Sequence, residues 1–143
     1  MNDEIKERRK EKWFEVWFSI EALAVDKEVV ESAMKKHVEK MKAVKDIMVY
    51  ESTFSETIKV QKPMKNIEEA YSQIVKVKFF VKTLSTLISV VMTYGPSSVE
   101  IIGPDKKEMN IAETQDIVNL LAGIVHQFAA AGVGGIVITP DKK

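Results

Sequence analysis

The chain has 143 residues and a mass of 16.2 kDa, the length of one domain. Apolar residues make up 45% and charged residues 29%, which fits a globule and excludes a disordered or collagen-like chain. Lys+Arg and Asp+Glu both number 21, so a net charge of zero argues against bulk electrostatic capture of nucleic acid or an anionic membrane, and the absence of cysteine excludes disulfides, thiolate nucleophiles and cysteine-bound zinc.

Residues 1–12 are charged throughout and hold no apolar stretch of the signal-peptide kind. They read as a solvated tail or a short frayed helix. The single domain is expected over 13–143, with an αβ extension at 110–139. Trp13 to Val25 alternates, placing Phe14, Val16, Phe18, Ile20, Ala22 and Ala24 on one face, which predicts a strand. Asp26 is placed to cap a helix over 27–44, whose stripe is Val30, Ala33, Met34, His37, Val38, Met41 and Val44.

Period two returns from Asp46 to Gln61, where Met48, Tyr50, Phe54, Ile58 and Val60 share a face. This predicts one long strand, bulged near 52–56. Pro63 to Tyr71 reads as a connection with one helical turn. Gln73 to Lys82 alternates again, with Val75, Val77, Phe79 and Val81 opposite Lys76, Lys78 and Lys82. Thr83 can cap a helix with an apolar face of Leu84, Leu87, Ile88 and Val91, stopped by Gly95-Pro96. Leu84 to Met92 is the longest apolar candidate for a membrane span and is too short for one. A cytoplasmic location is therefore expected. Ser98 to Ile102 makes a short strand closed by Gly103-Pro104.

The order β-α-β-β-α-β predicts an α+β fold of the split βαβ, or ferredoxin-like, kind. Its antiparallel sheet would run 4-1-3-2 with both helices on one face. Asn110-Ile-Ala-Glu113 then reads as a capping box for a third helix carrying Ile117, Leu121, Ile124, Val125 and Phe128. Gly132-Val-Gly-Gly135 follows that helix, so it reads as a C-cap and turn before a short extra strand at Ile136–Thr139, not as a phosphate loop.

The side of the sheet away from the two helices should be polar. Pleat parity instead gives it Trp13, Trp17, Ile47, Val49, Ile74 and Phe80. Six large apolar groups, each worth about 1.5–3 kcal/mol on full burial, demand a cover. Three covers are open: the third helix folding back, a second copy of the chain, or a ligand or single-stranded nucleic acid. A second copy, in a homodimer or larger oligomer, is the favoured cover, compatible with the third helix crossing to the partner, and the zero net charge disfavours nucleic acid.

Chemistry-bearing residues are few. His37 lies on the apolar stripe of its helix and reads as a core or boundary histidine. His126 has no carboxylate three or four residues away, so it has no local metal partner. Glu68–Glu69 read as a solvated turn, and the lysines of 35–45 as a solvated helix face. Tyr94, Ser97, Glu100 and His126 form the candidate ligand-binding set, around the turn into the fourth strand. An enzyme with its site at a subunit boundary would draw on Tyr94, Glu100 and His126. No Ser-His-Asp set, P-loop or dinucleotide fingerprint occurs, so no catalytic residue, metal ligand or cofactor is assigned. The reading is of an assembly or small-ligand-binding module.

Four resemblances add to it. Val75 to Met109, with Tyr94-Gly-Pro-Ser-Ser-Val-Glu-Ile-Ile-Gly-Pro104, resembles the C-terminal extension of WYL-type bacterial regulators, which implies a ferredoxin-like module that helps to bind ligand or partner. Val75-Lys-Val-Lys-Phe-Phe-Val-Lys82 resembles the base-stacking third strand of RNA-recognition motifs, without its glycines. That likeness would put Trp13, Trp17, Lys76, Lys78 and Phe80 on single-stranded nucleic acid. The strand and helix order is similar to that of regulatory ACT domains, although Leu23 to Lys27 lacks their usual glycine. The chain as a whole resembles small uncharacterised archaeal proteins of ferredoxin-like fold, a likeness in keeping with 19 lysines and 15 glutamates against four asparagines and four glutamines.

Overall fold

A computed structural model describes residues 2–132. The chain divides into one unit over Met1–Lys107 and another over Glu108–Lys143. The first holds α1 (Asn2–Lys10), β1 (Phe14–Ala24), α2 (Lys27–Lys42), β2 (Ile47–Phe54), β3 (Ile58–Met64), β4 (Ile67–Val81), α3 (Leu84–Tyr94) and β5 (Ser98–Gly103). The second holds α4 (Ile111–Ala130), whose first turn is closed by the Asn110 side chain accepting from the Glu113 N–H at 2.8 Å. The strand expected at Ile136–Thr139 lies outside the described residues.

The first unit is built on a five-stranded antiparallel sheet. Its path is β2-β4-β1-β5, with β3 also paired to β4. The long central strand β4 makes this possible, because its second half pairs with β2 and its first half with β3. Phe14, Val16, Phe18 and Ile20 of β1 face the same side as Val75, Val77, Phe79 and Val81 of β4, their partners in register. That side is the core. Val30, Met34, Val38 and Met41 of α2 close over it, with Leu87 and Val90 of α3. Phe18 and Phe79 meet edge to face at 4.9 Å.

Local chemistry sets the helix ends. Thr83 is extended and its side-chain oxygen accepts from the Thr86 N–H. Gly95 ends α3 in the left-handed conformation, at φ 53°, and its N–H bonds to the Val91 carbonyl. Asp26 stands in the capping position of α2, yet its side chain makes no cap bond. His37 is half-buried and packs edge-on against Tyr94 at 5.8 Å, as a boundary histidine does.

Three expectations are corrected. The stretch 46–61 is two strands, not one. Between them the chain breaks at Ser55, whose N–H bonds to the Ile74 carbonyl and whose hydroxyl accepts from the Ile74 N–H. Pro63 to Tyr71 is not a helical connection: β3 turns through Lys65-Asn66 directly into β4, and Pro63, which has no N–H to give, falls in a register irregularity between Gln61 and Met64. Ile47 and Val49 are not on the open face. They pair with Val81 and Phe79 and pack on the core side. The physical reason is a bulge at Tyr50, which reverses parity between Val49 and Glu51, earlier than the one expected at 52–56.

Candidate binding site on the open sheet face

The face away from α2 and α3 is built from alternate residues of four strands. Met48, Glu51 and Thr53 of β2 stand beside Phe80, Lys78 and Lys76 of β4. Those three stand beside Glu15, Trp17 and Ser19 of β1, and Trp17 and Ser19 stand beside Glu100 and Ser98 of β5. The bulge adds Tyr50 to this face, 5.3 Å from the Phe80 ring.

Glu15 is the hub of its lower half. Its side chain is only 7% exposed and accepts both Nε and Nη2 of Arg9 at 3.0 Å, and the Tyr50 hydroxyl at 2.7 Å. Tyr50 in turn accepts from the Trp17 indole N–H at 2.9 Å. A buried carboxylate with three donors is a satisfied charge. The Arg9 hydrogen bonds hold Glu15 below the ordinary carboxylate range against the opposing effect of burial, with Tyr50 and Lys78 adding to the shift. Burial and the Glu15 carboxylate push the Tyr50 hydroxyl up to about 12. The Arg9 guanidinium is raised by its bond to Glu15.

The upper half is open. Trp17 is 39% exposed, and the Lys78 ammonium lies 4.3 Å from its ring centre. The same ammonium pairs with Glu51 at 3.0 Å. Ser19 and Ser98 are small beside the indole, so a cleft of about 200 Å³ opens over them, with Lys76 and Glu100 on its sides.

Within the first unit the structure places Tyr94, Ser97 and Glu100, which the sequence grouped, in different settings. Glu100 is on the open face opposite Trp17, whereas Tyr94 packs against the core at the end of α3, where burial raises its hydroxyl pKa. Ser97 lies in the turn before β5, its N–H bonded to the Ser19 carbonyl at 2.8 Å. His126 is on α4, in the other unit. Of the six expected interface residues, Trp13 lies under the Arg8 guanidinium at 4.8 Å, and Trp17 and Ile74 are half exposed on the open face. Phe80 is there too, but wholly buried, and Ile47 and Val49 are on the opposite side. Arg9, Glu15 and Tyr50 escaped sequence reading. The available signal was Glu15 itself, a charge set between Phe14 and Val16 in a strand.

Among the described residues no three His, Asp or Glu side chains gather to hold a metal, and no helix is long and apolar enough to cross a membrane. No curated protein matches the chain. The family matched is not that of the WYL-type regulators. It is the MJ0538 family, whose model covers residues 15–137, from the Glu15 hub of the open face through α4, and the chain belongs to that family.

Proposed function

We propose that the chain is a ferredoxin-like assembly module that acts as a homo-oligomer. In this reading β2 and β3 together stand for one strand of the βαββαβ set. The strand path and the antiparallel pairing throughout support it.

One observation carries the assembly reading. Val99 and Ile101 of β5 pair with Phe18 and Val16, so they point to the core side of the sheet, yet they are 43% and 51% exposed. α2 packs on β4, β1 and β2, and α3 on β4, which leaves the flank at β5 thinly covered. Among the described residues β5 ends the sheet path, with no strand on its outer edge. An edge strand with half-exposed aliphatic side chains pairs readily with another chain, and a symmetric partner is the commonest solution. Nucleic acid on the open face is disfavoured, because Phe80 is covered and Lys78 is engaged by Glu51 and Trp17.

Sedimentation equilibrium tests the proposal. The wild type should sediment at two or more times 16.2 kDa. Ile101→Lys should lower that mass toward the monomer while circular dichroism stays unchanged. A wild-type monomer at hundreds of micromolar would overturn the reading.

A further inference from the structure

We infer that the cleft beside Trp17 binds a small zwitterion, a compact apolar body carrying one ammonium and one carboxylate. The inference does not rest on the assembly reading, because the cleft lies on the opposite side of the sheet from Val99 and Ile101.

The register fixes the arrangement. On β1, Trp17 stands between Lys78 and Glu100, and Ser19 stands between Lys76 and Ser98. Lys78 is committed to Glu51 and to the indole, so those two charges cancel. Two charges are left at the cleft. Lys76 and Glu100 make no ion pair among the described residues. They lie diagonally across β1, two strand spacings apart, about 10 Å, and two residues apart along it, about 7 Å. Their flexible side chains can therefore close on one molecule seated between them.

Charge balance selects the occupant. A polyanion would require an excess of cations, and the cleft offers one uncommitted cation and one uncommitted anion. A ligand carboxylate answers Lys76, with the Ser19 and Ser98 hydroxyls beside it to donate. A ligand ammonium answers Glu100. The indole wall takes the apolar body. A cleft of about 200 Å³ is smaller than the pockets that enclose drug-sized ligands, so the ligand is small and binds weakly, with Kd on the order of 1 mM.

The test is a titration of the full chain followed by ¹H–¹⁵N correlation spectra, using L-phenylalanine, phenethylamine, hydrocinnamate and inorganic phosphate. Phenylalanine should give saturable shifts at the Trp17 indole N–H and the Ser19, Lys76 and Ser98 amides. Each single-charge analogue should bind about tenfold more weakly. Glu100→Gln should weaken phenylalanine and phenethylamine about tenfold and leave hydrocinnamate unchanged. Lys76→Gln should weaken phenylalanine and hydrocinnamate about tenfold and leave phenethylamine unchanged. The well-dispersed spectrum of each variant reports its fold within the same experiment. No saturable shift at these residues would overturn the inference, as would phosphate binding there as tightly as phenylalanine, or both variants weakening all probes alike.

Discussion

Glu15→Gln tests whether the hub of the open face stabilises the fold. The substitution keeps the volume and removes the charge. The Arg9 side chain is 59% exposed, so its pair with Glu15 is screened and contributes only about 0.2–1 kcal/mol. The Tyr50 bond, at 2.7 Å to a carboxylate oxygen that is nearly buried, contributes more, about 1.5–3 kcal/mol, part of which the glutamine oxygen retains. The glutamine amide also sets a donor against the Arg9 donors. The expected loss is about 2 kcal/mol at pH 7, or roughly 8 °C in Tm for a unit of this size. Urea unfolding across pH makes the test specific. The folded-state pKa of Glu15 is depressed, so its contribution is complete above the ordinary carboxylate range. That contribution is lost as pH falls through the lowered value. The gap between wild type and Glu15→Gln should therefore be full at pH 7 and shrink steadily in acid. A gap below about 0.5 kcal/mol at pH 7, or one unchanged down to pH 2.5, would refute the reasoning.

Two further outcomes are expected. Gly95→Ala adds a Cβ with no heavy atom within 4 Å, so its cost comes only from the left-handed backbone at φ 53° and should be about 1 kcal/mol, read as a lower urea midpoint with an unchanged slope. Absorbance titration of the tyrosines should show a late component near pH 12, absent in Tyr50→Phe; because that pKa is raised from 10.0, the associated stability holds below pH 10 and is lost between pH 10 and about 12, and completion of all tyrosine ionisation near pH 10 in the folded protein would contradict it.

Elements with a clean period were legible in the sequence. The alternation of β1 and of the second half of β4, the stripe of α2, the Thr83 cap and the Gly95 stop each correspond to an observed structure, because local chemistry and tertiary packing agree there. Less was legible between Asp46 and Tyr71. Strand β3 alternates only through Ile58 and Val60 before Pro63, and the first half of β4 carries Glu68, Glu69 and Ser72, so the apolar alternation of a half-buried strand lapses there. Their pairing depends on the hairpin through Lys65-Asn66 and on a central strand long enough to serve two neighbours in succession. Both are properties of the assembled sheet.

The candidate site turned on a single residue. Parity counted back from Phe54 through an unbroken strand assigns Ile47 and Val49 to the open face, and parity counted through a bulge at Tyr50 assigns them to the core. The second count packs Ile47, Val49 and Phe54 against the core, and Tyr50 and Glu51 fall together with Met48 on the other side. The bulge therefore explains two features at once. It brings the Tyr50 ring against Phe80, a large apolar group of the open face that is wholly buried, and it brings the Tyr50 hydroxyl to both Glu15 and Trp17. The need for a cover over this face is thus met in part by the sheet's own side chains. What remains open is narrower than the sequence implied: Ile74, and a half-exposed indole with two serines, Lys76 and Glu100 around a small cleft, the surface on which the proposed zwitterion would sit.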